Sequence, residues 1–327
     1  MPEGDSILQL SQRLQFLVGK QVTRTSIRTP RFATQDFTGA CCQKIWPYGK
    51  YLFMLFDEQI LATHLKMEGT WALHLAGDRW RKPGHSARVV LQFAHQPRDI
   101  EIVGHQLGMV RVFPAADYNL FIGALGPDIL AADWDDPGAE SSADTKSRQN
   151  TKVTPGIKIT PDTENLPDAK NIPETSNNAN KTARNGKSEA LCRIMLQPER
   201  PIGTALLDQN NLVGIGNEYR AEICFLAGLH PGSRVAALGS HRVAEILDIA
   251  RRIMWANRNE PVRVTTGIKR AGETTYVFGR NHRPCRRCRS LIEKDVLGGP
   301  DQKNRGGTDD ELERIIWWCP RCQPLLG

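Results

Sequence analysis

No apolar run in this 327-residue chain approaches the roughly 18 residues that a helical membrane span needs, so no membrane partner is expected. The opening Met-Pro-Glu-Gly-Asp is acidic where a secretory signal is basic, and no apolar stretch follows it; the chain is expected to stay in the cytoplasm. Aromatic residues are sparse at 7%, and none occurs from Asp135 to Glu189. Ser, Thr, Asn, Lys, Asp and Pro dominate there, too little apolar surface to offset the entropy of ordering, and a disordered linker is expected over 135–189. Cysteine is not spread as a disulfide framework either. Cys41, Cys42, Cys192 and Cys224 are scattered and read as reduced thiols, whereas Cys285, Cys288, Cys319 and Cys322 form two Cys-x-x-Cys pairs. Acid does not balance base: the formal charge is +7 and the pI about 9.0, which favours a polyanionic partner without identifying one.

The length exceeds one typical domain and calls for two globular parts with connections. Ile7, Leu10, Leu14 and Leu17 recur at helical spacing until Gly19, so the chain opens into an amphipathic helix with Glu3 and Asp5 in its first turn. From about residue 21 to 115, short apolar or alternating segments such as Tyr51 to Phe56, Val89 to Phe93 and Ile100 to Val103 alternate with turn residues, the pattern of a β-sandwich or barrel. Beyond the linker, Ile202 to Gln209, Asn217 to Ala227 and Ser240 to Trp255 read as helices. The expected fold class is α+β, with a β-sandwich domain over 1–134, the linker over 135–189, a helical domain over 190–260 and a cysteine-rich domain over 261–327.

Each Cys-x-x-Cys pair places two thiolates on one tight turn, and together they complete a tetrahedral zinc site with no open position. Such a zinc is structural, and catalysis is not expected at it. Ile292 to Val296 and Ile315 to Trp318 read as the strands of a ribbon, with the Gly- and Asp-rich stretch Gly298 to Asp310 as an enlarged tip.

Chemistry is expected at the other end. The small residue after Met1 permits removal of that methionine, leaving Pro2 with a secondary amine. An α-amino group titrates near ~7.7–8.0, so part of it is neutral and nucleophilic at physiological pH. A secondary amine attacking a sugar C1′ gives an iminium ion that acidifies the C2′ proton and eases loss of the 3′ phosphate. Glu3 stands next to it as a proton donor, although a Pro-Glu pair opening a helix is also ordinary N-terminal chemistry. Gly214-x-Gly216-Asn217 precedes a helix, so that exposed amides and an Asn at the cap position could hold a phosphate; a plain N-cap is the commoner meaning of that pattern.

Pro2-Glu3-Gly4-Asp5, Gly49-Lys50-Tyr51-Leu52, Gly214-Ile215-Gly216-Asn217-Glu218-Tyr219 and the terminal four cysteines occur in an order that resembles the formamidopyrimidine-DNA glycosylase and endonuclease VIII family, most of all a second endonuclease VIII type of actinobacteria. That resemblance implies a β-sandwich bordered by helices, a helix-two-turn-helix domain, a zinc ribbon, and damaged DNA in the cleft between. It also implies a monomeric DNA glycosylase and abasic-site lyase of base excision repair, at work on the nucleoid. Pro2 would be the Schiff-base nucleophile, Glu3 the general acid and Lys50 a phosphate contact that assists proton transfer. Asn217 and Arg314 would grip phosphates, the loop His64 to Gly69 would fill the flipped-out nucleotide's place with Met67, and Arg111 would touch the opposite strand. Without the resemblance, Lys50 reads as a solvated turn lysine and Met67 equally as core.

Gly4 resembles the endonuclease VIII branch, where the formamidopyrimidine branch usually has Leu, and Pro261 to Gly279 is short for the loop with which the purine-specific branch covers its base; the resemblance therefore implies oxidised pyrimidines over 8-oxoguanine as substrate. The alternatives are a formamidopyrimidine or 8-oxoguanine glycosylase, and a catalytically silent lesion sensor. The sequence leaves open whether bubble or single-stranded DNA also serves.

Overall fold

The computed structural model describes residues 2–135, 185–297 and 314–326. Helix α1 (Gly4–Leu14) is extended by one 3-10 turn, Gln15–Leu17. Eight strands follow: β1 (Val22–Ile27), β2 (Cys42–Tyr48), β3 (Tyr51–Phe56), β4 (Gln59–His64), β5 (Thr70–Leu75), β6 (Ala87–Phe93), β7 (Ile100–His105) and β8 (Met109–Pro114). They form two antiparallel four-stranded sheets in the orders β1-β6-β7-β5 and β2-β3-β4-β8. Between the sheets lie Leu52, Met54 and Phe56 of β3 against Val89, Leu91 and Phe93 of β6 and Ile102 of β7. Ile7, Leu10, Leu14 and Leu17 join that core, which is why their spacing is helical.

β3 is apolar at every position because both its faces are covered. Phe53, on the side away from the sandwich interior, packs edge-on to Tyr118 and Phe121 of the short helix α2 (Tyr118–Gly123). Strand β3 therefore shows no alternation, as expected of a strand buried on two sides.

The second core belongs to α3 (Gly186–Met195), α4 (Ile202–Leu207), α5 (Asn217–Leu226) and α6 (Val235–Asn257), the last with Gly239 at φ 70° interrupting its first turn. The long helix read from Ser240 is thus preceded by one more turn, from Val235. β9 (Glu293–Leu297) and β10 (Arg314–Trp318) form the antiparallel ribbon. No helix among the described residues is long and apolar enough to cross a membrane.

The helix α3 corrects one boundary. It starts at Gly186, capped by Asn185 whose side chain accepts the Ser188 amide at 2.8 Å, so 185–189 belong to the helical domain and not to the linker read from composition. A capping Asn is invisible within an Asn-rich stretch. The rest of that linker, 136–184, and the ribbon tip lie outside the described residues. The linker's two ends are together: Asn185 donates to the Asp135 carbonyl at 3.1 Å, and Trp134, fully buried, shares a core with Ala190 and Ile194. Replacing 136–184 by a short Gly/Ser turn should leave the fold intact and raise stability by up to about 2 kcal/mol through loop-closure entropy. Urea denaturation checks this; a large loss would show that the segment contributes to the core.

Candidate active site

Helix α5 begins with amides that have no partner within the helix. Its cap residue is Gly216, not Asn217 as the sequence pattern suggested, and the group that occupies its N-terminus comes from the other end of the chain. Glu3 Oε2 accepts the Gly216 amide at 2.6 Å and Oε1 accepts the Glu218 amide at 3.0 Å. The carboxylate is fully buried, and a Cβ on Gly216 would lie 2.4 Å from its Cδ, so glycine is required there by the approach of Glu3. Burial pushes the Glu3 pKa up; the nearby charges of Arg263 and Lys50 pull the other way without prevailing.

Arg263 ties the same corner together. Its guanidinium holds Asp5 in a fork (Nε to Oδ2 2.9 Å, Nη2 to Oδ1 2.6 Å), reaches Glu218 at 2.7 Å and stands 3.6 Å from Glu3. It also lies 4.5 Å over the ring of Tyr219, whose hydroxyl donates to Asp5 at 2.8 Å. Burial alone would lower the Arg263 pKa, but the carboxylates around it raise it on balance, so it stays charged. Sequence reasoning passed over Arg263 and Tyr219: an arginine in a polar stretch carries no periodicity, and its partners lie more than 40 residues away.

Gly49 and Lys50 form the turn between β2 and β3. Gly49 has φ 55°, donates its amide to Asp128 Oδ2 at 2.8 Å, and has no room for a side chain because a Cβ would lie 2.4 Å from that of Val213. The Gly4 amide donates to the Gly214 carbonyl at 2.9 Å, and a Cβ on Gly4 would touch the Gly214 Cα at 3.0 Å. The start of α1, the Lys50 turn and the segment leading into α5 therefore meet, with Pro2 partly exposed at their junction.

Asn217 is buried, and its side chain donates to the Ile315 carbonyl at 3.1 Å; Arg220 donates to the same carbonyl at 3.0 Å. Ile315 follows Arg314, the first residue of β10, paired with Leu297. The ribbon is docked from behind as well: Gln323 accepts the Cys319 amide at 2.9 Å and donates to the Leu229 carbonyl at 2.8 Å. Fully buried Glu222 accepts the amides of Tyr276 (2.7 Å), Val277 (2.9 Å) and Phe278 (2.9 Å), fixing the segment before the ribbon. The Sγ atoms of Cys285, Cys288, Cys319 and Cys322 lie within 4.8 Å of one another. Four thiolates about 2.3 Å from a tetrahedral zinc stand roughly 3.8 Å apart, so this set fits that ion.

Residues 1–105 match the formamidopyrimidine-DNA glycosylase N-terminal domain, and 179–265 match the formamidopyrimidine-DNA glycosylase H2TH domain. Over 99% of its length the chain is 33% identical to the probable endonuclease 8 2 of Streptomyces coelicolor, covering 94% of that protein. It is 31% identical to the DNA-(apurinic or apyrimidinic site) lyase Nei2 of Mycolicibacterium smegmatis, with 99% of each chain covered. The chain belongs to the formamidopyrimidine-DNA glycosylase and endonuclease 8 family. Its fold is that of Lactococcus lactis formamidopyrimidine-DNA glycosylase, solved with abasic-site DNA, at TM-score 0.67 and 18% identity over 98% of this chain and 99% of that one.

Within the family frame, Met67 stands apart from the core, 62% exposed, which removes the core reading. Its turn is rigid: Lys66 takes φ 50° with its amide donating to His64 Nδ1 at 2.9 Å, and the Gly108 amide donates to the His64 carbonyl at 3.0 Å. Gln106 donates to Glu68 at 3.0 Å. The β7–β8 turn, Gln106 to Gly108, is thus the neighbour of the Met67 loop, and sequence reasoning missed it. Arg111, further along β8, has its guanidinium 5.9 Å over the Phe121 ring, on the face that α2 covers.

Gly216→Ala should leave the backbone acceptable, since φ is −120° there, yet displace Glu3. Overpacking of this kind costs about 1–3 kcal/mol. Chemical denaturation measures it, and an unchanged midpoint would mean that Glu3 is not confined as described.

Proposed function

We propose that this protein excises oxidised pyrimidines through a Schiff base on Pro2 and then cuts the strand by β,δ-elimination. Family membership carries the coarser reading: a DNA glycosylase and abasic-site lyase of base excision repair. The observation that carries the finer one is the burial of the Glu3 carboxyl on the N-terminus of α5, one residue after Pro2 and within the field of Lys50.

The Pro2 nitrogen attacks C1′ and the C1′–base bond breaks. Glu3, whose burial lets it keep a proton to higher pH than an ordinary glutamic acid, protonates the ring oxygen as the sugar opens to the iminium ion. Loss of the C2′ proton expels the 3′ phosphate, and a second elimination expels the 5′ phosphate. Hydrolysis of the iminium then returns the amine. Lys50, Asn217 and Arg314 hold the phosphates flanking the lesion, Met67 enters the gap left by the extruded nucleotide, and Arg111 faces the opposite strand. Cys285, Cys288, Cys319 and Cys322 would hold one structural zinc, while Asn217 holds the ribbon through the Ile315 carbonyl. The partner is damaged DNA, bound by a monomer.

Two features support pyrimidine lesions. Gly4 is similar to the endonuclease VIII branch of the family, where the formamidopyrimidine branch usually has Leu, and its close approach to Gly214 suits a residue without a side chain. The 261–279 segment is pinned at Asn257, which accepts the Val264 amide at 2.7 Å, and again at Glu222, leaving little chain to fold over a purine.

Borohydride should trap the protein covalently on abasic-site DNA. Protein that retains Met1, or has Pro2 acetylated, should form no adduct; an adduct from blocked protein would refute the Pro2 mechanism. Glu3→Gln should lower thymine glycol excision by about 10²–10⁴-fold while trapping on a pre-formed abasic site persists. The wild-type excision rate should fall as rising pH removes the Glu3 proton, and a rate for the Gln variant equal to wild type would eliminate Glu3 as the acid. Efficient release of 8-oxoguanine with little action on thymine glycol would favour the purine reading.

A further inference from the structure

Between β5 and β6 the chain carries Asp78-Arg79-Trp80-Arg81-Lys82-Pro83-Gly84-His85, a basic loop to which the proposed chemistry assigns nothing. It is built as an ordered element. Trp80 packs on Ala87, Val90 and Val103, on the sheet face turned away from the sandwich interior, and its indole N–H donates to buried Glu101 at 2.6 Å. Arg28 lies 5.5 Å over the Trp80 ring while donating to the Gly84 carbonyl at 2.9 Å. Ser86 donates to the Pro83 carbonyl at 2.6 Å and lies 2.8 Å from Nδ1 of fully buried His105. With Trp80 turned in, Arg79 and Arg81 on either side of it are exposed.

Among the described residues no carboxylate forms an ion pair with Arg79, Arg81 or Lys82. Glu101 is occupied by Trp80 and by Gln92 at 2.8 Å, and Asp78 is paired with Arg98 at 3.0 Å. The loop is also joined to the Met67 turn. Gln106 donates its amide to the Ser86 carbonyl at 2.7 Å, accepts from Lys82 at 3.4 Å, and donates its side chain to Glu68 at 3.0 Å. A line of ordered contacts thus runs from Glu68 beside Met67 through Gln106 to Lys82, with the exposed Arg79 and Arg81 on the same loop as Lys82.

We propose that this loop is a second phosphate-binding surface, gripping the backbone of the duplex arm beyond the Met67 turn. The proposal rests on the reading of the Met67 turn as the part that enters DNA. The recognition is of backbone charge, with no preference for lesion or sequence. Each phosphate neutralised releases counterion, so the contact is legible in the salt dependence of affinity.

The test compares wild type with the R79A/R81A/K82A variant, checked for an unchanged melting transition, by fluorescence anisotropy on undamaged duplexes and on duplexes with an uncleavable abasic analogue. The duplexes are lengthened on one side at a time. The slope of log K against log salt should fall in magnitude by about 2–3, and only when one particular arm is extended. An equal slope at every length would overturn the proposal, as would a change of the same size on every duplex, which would mean only a general loss of positive charge. Because undamaged DNA is included, failure of borohydride trapping in wild type would count against the Pro2 chemistry and not against this surface.

Discussion

The Glu3 carboxyl, with Asp5 beside it, joins the two halves of the molecule. Glu3 leaves the sandwich domain at the start of α1, and its two carboxyl oxygens accept the amides at the start of α5 that have no partner within the helix. The glycine at 216 follows from it, since the carboxyl leaves no room for a Cβ, and those at 4 and 49 follow from the close approach of the same segments at Gly214 and Val213. Arg263 balances the negative charge that this junction concentrates, and Asp5, Glu218 and Tyr219 fix Arg263 in turn.

The amides of Gly216 and Glu218 are already engaged by Glu3, and the ribbon touches the same helix through Asn217 and Arg220. Docking of the ribbon by Gln323, and of the segment before it by Glu222, makes the four-cysteine site part of the junction's scaffold.

The elements with strong periodicity or sharp punctuation were legible from sequence. The helix carrying Ile7, Leu10 and Leu14, the strand Tyr51 to Phe56 and the ribbon strands stand where apolar spacing put them, and the four cysteines come together as their two short spacings required. The motif Gly214 to Tyr219 was visible as well, but its meaning was not. The glycine at 216 caps the helix and admits Glu3, whereas the asparagine at 217 turns toward the ribbon. Likewise Met67 could be read as core until its exposure removed that reading.

By itself the sequence determined composition-limited facts: which segments can bury a face, where cysteines pair in short spacings, and that a proline and a carboxyl stand side by side at residues 2 and 3. Local chemistry sets these, and they survive any arrangement of the rest. Only the tertiary structure decided that Glu3 sits on the α5 terminus, that Arg263 joins it from 260 residues away, and that Gln106 lies beside the Met67 turn. Such contacts depend on the register of two sheets and the docking of two cores, and no short window of residues carries that information.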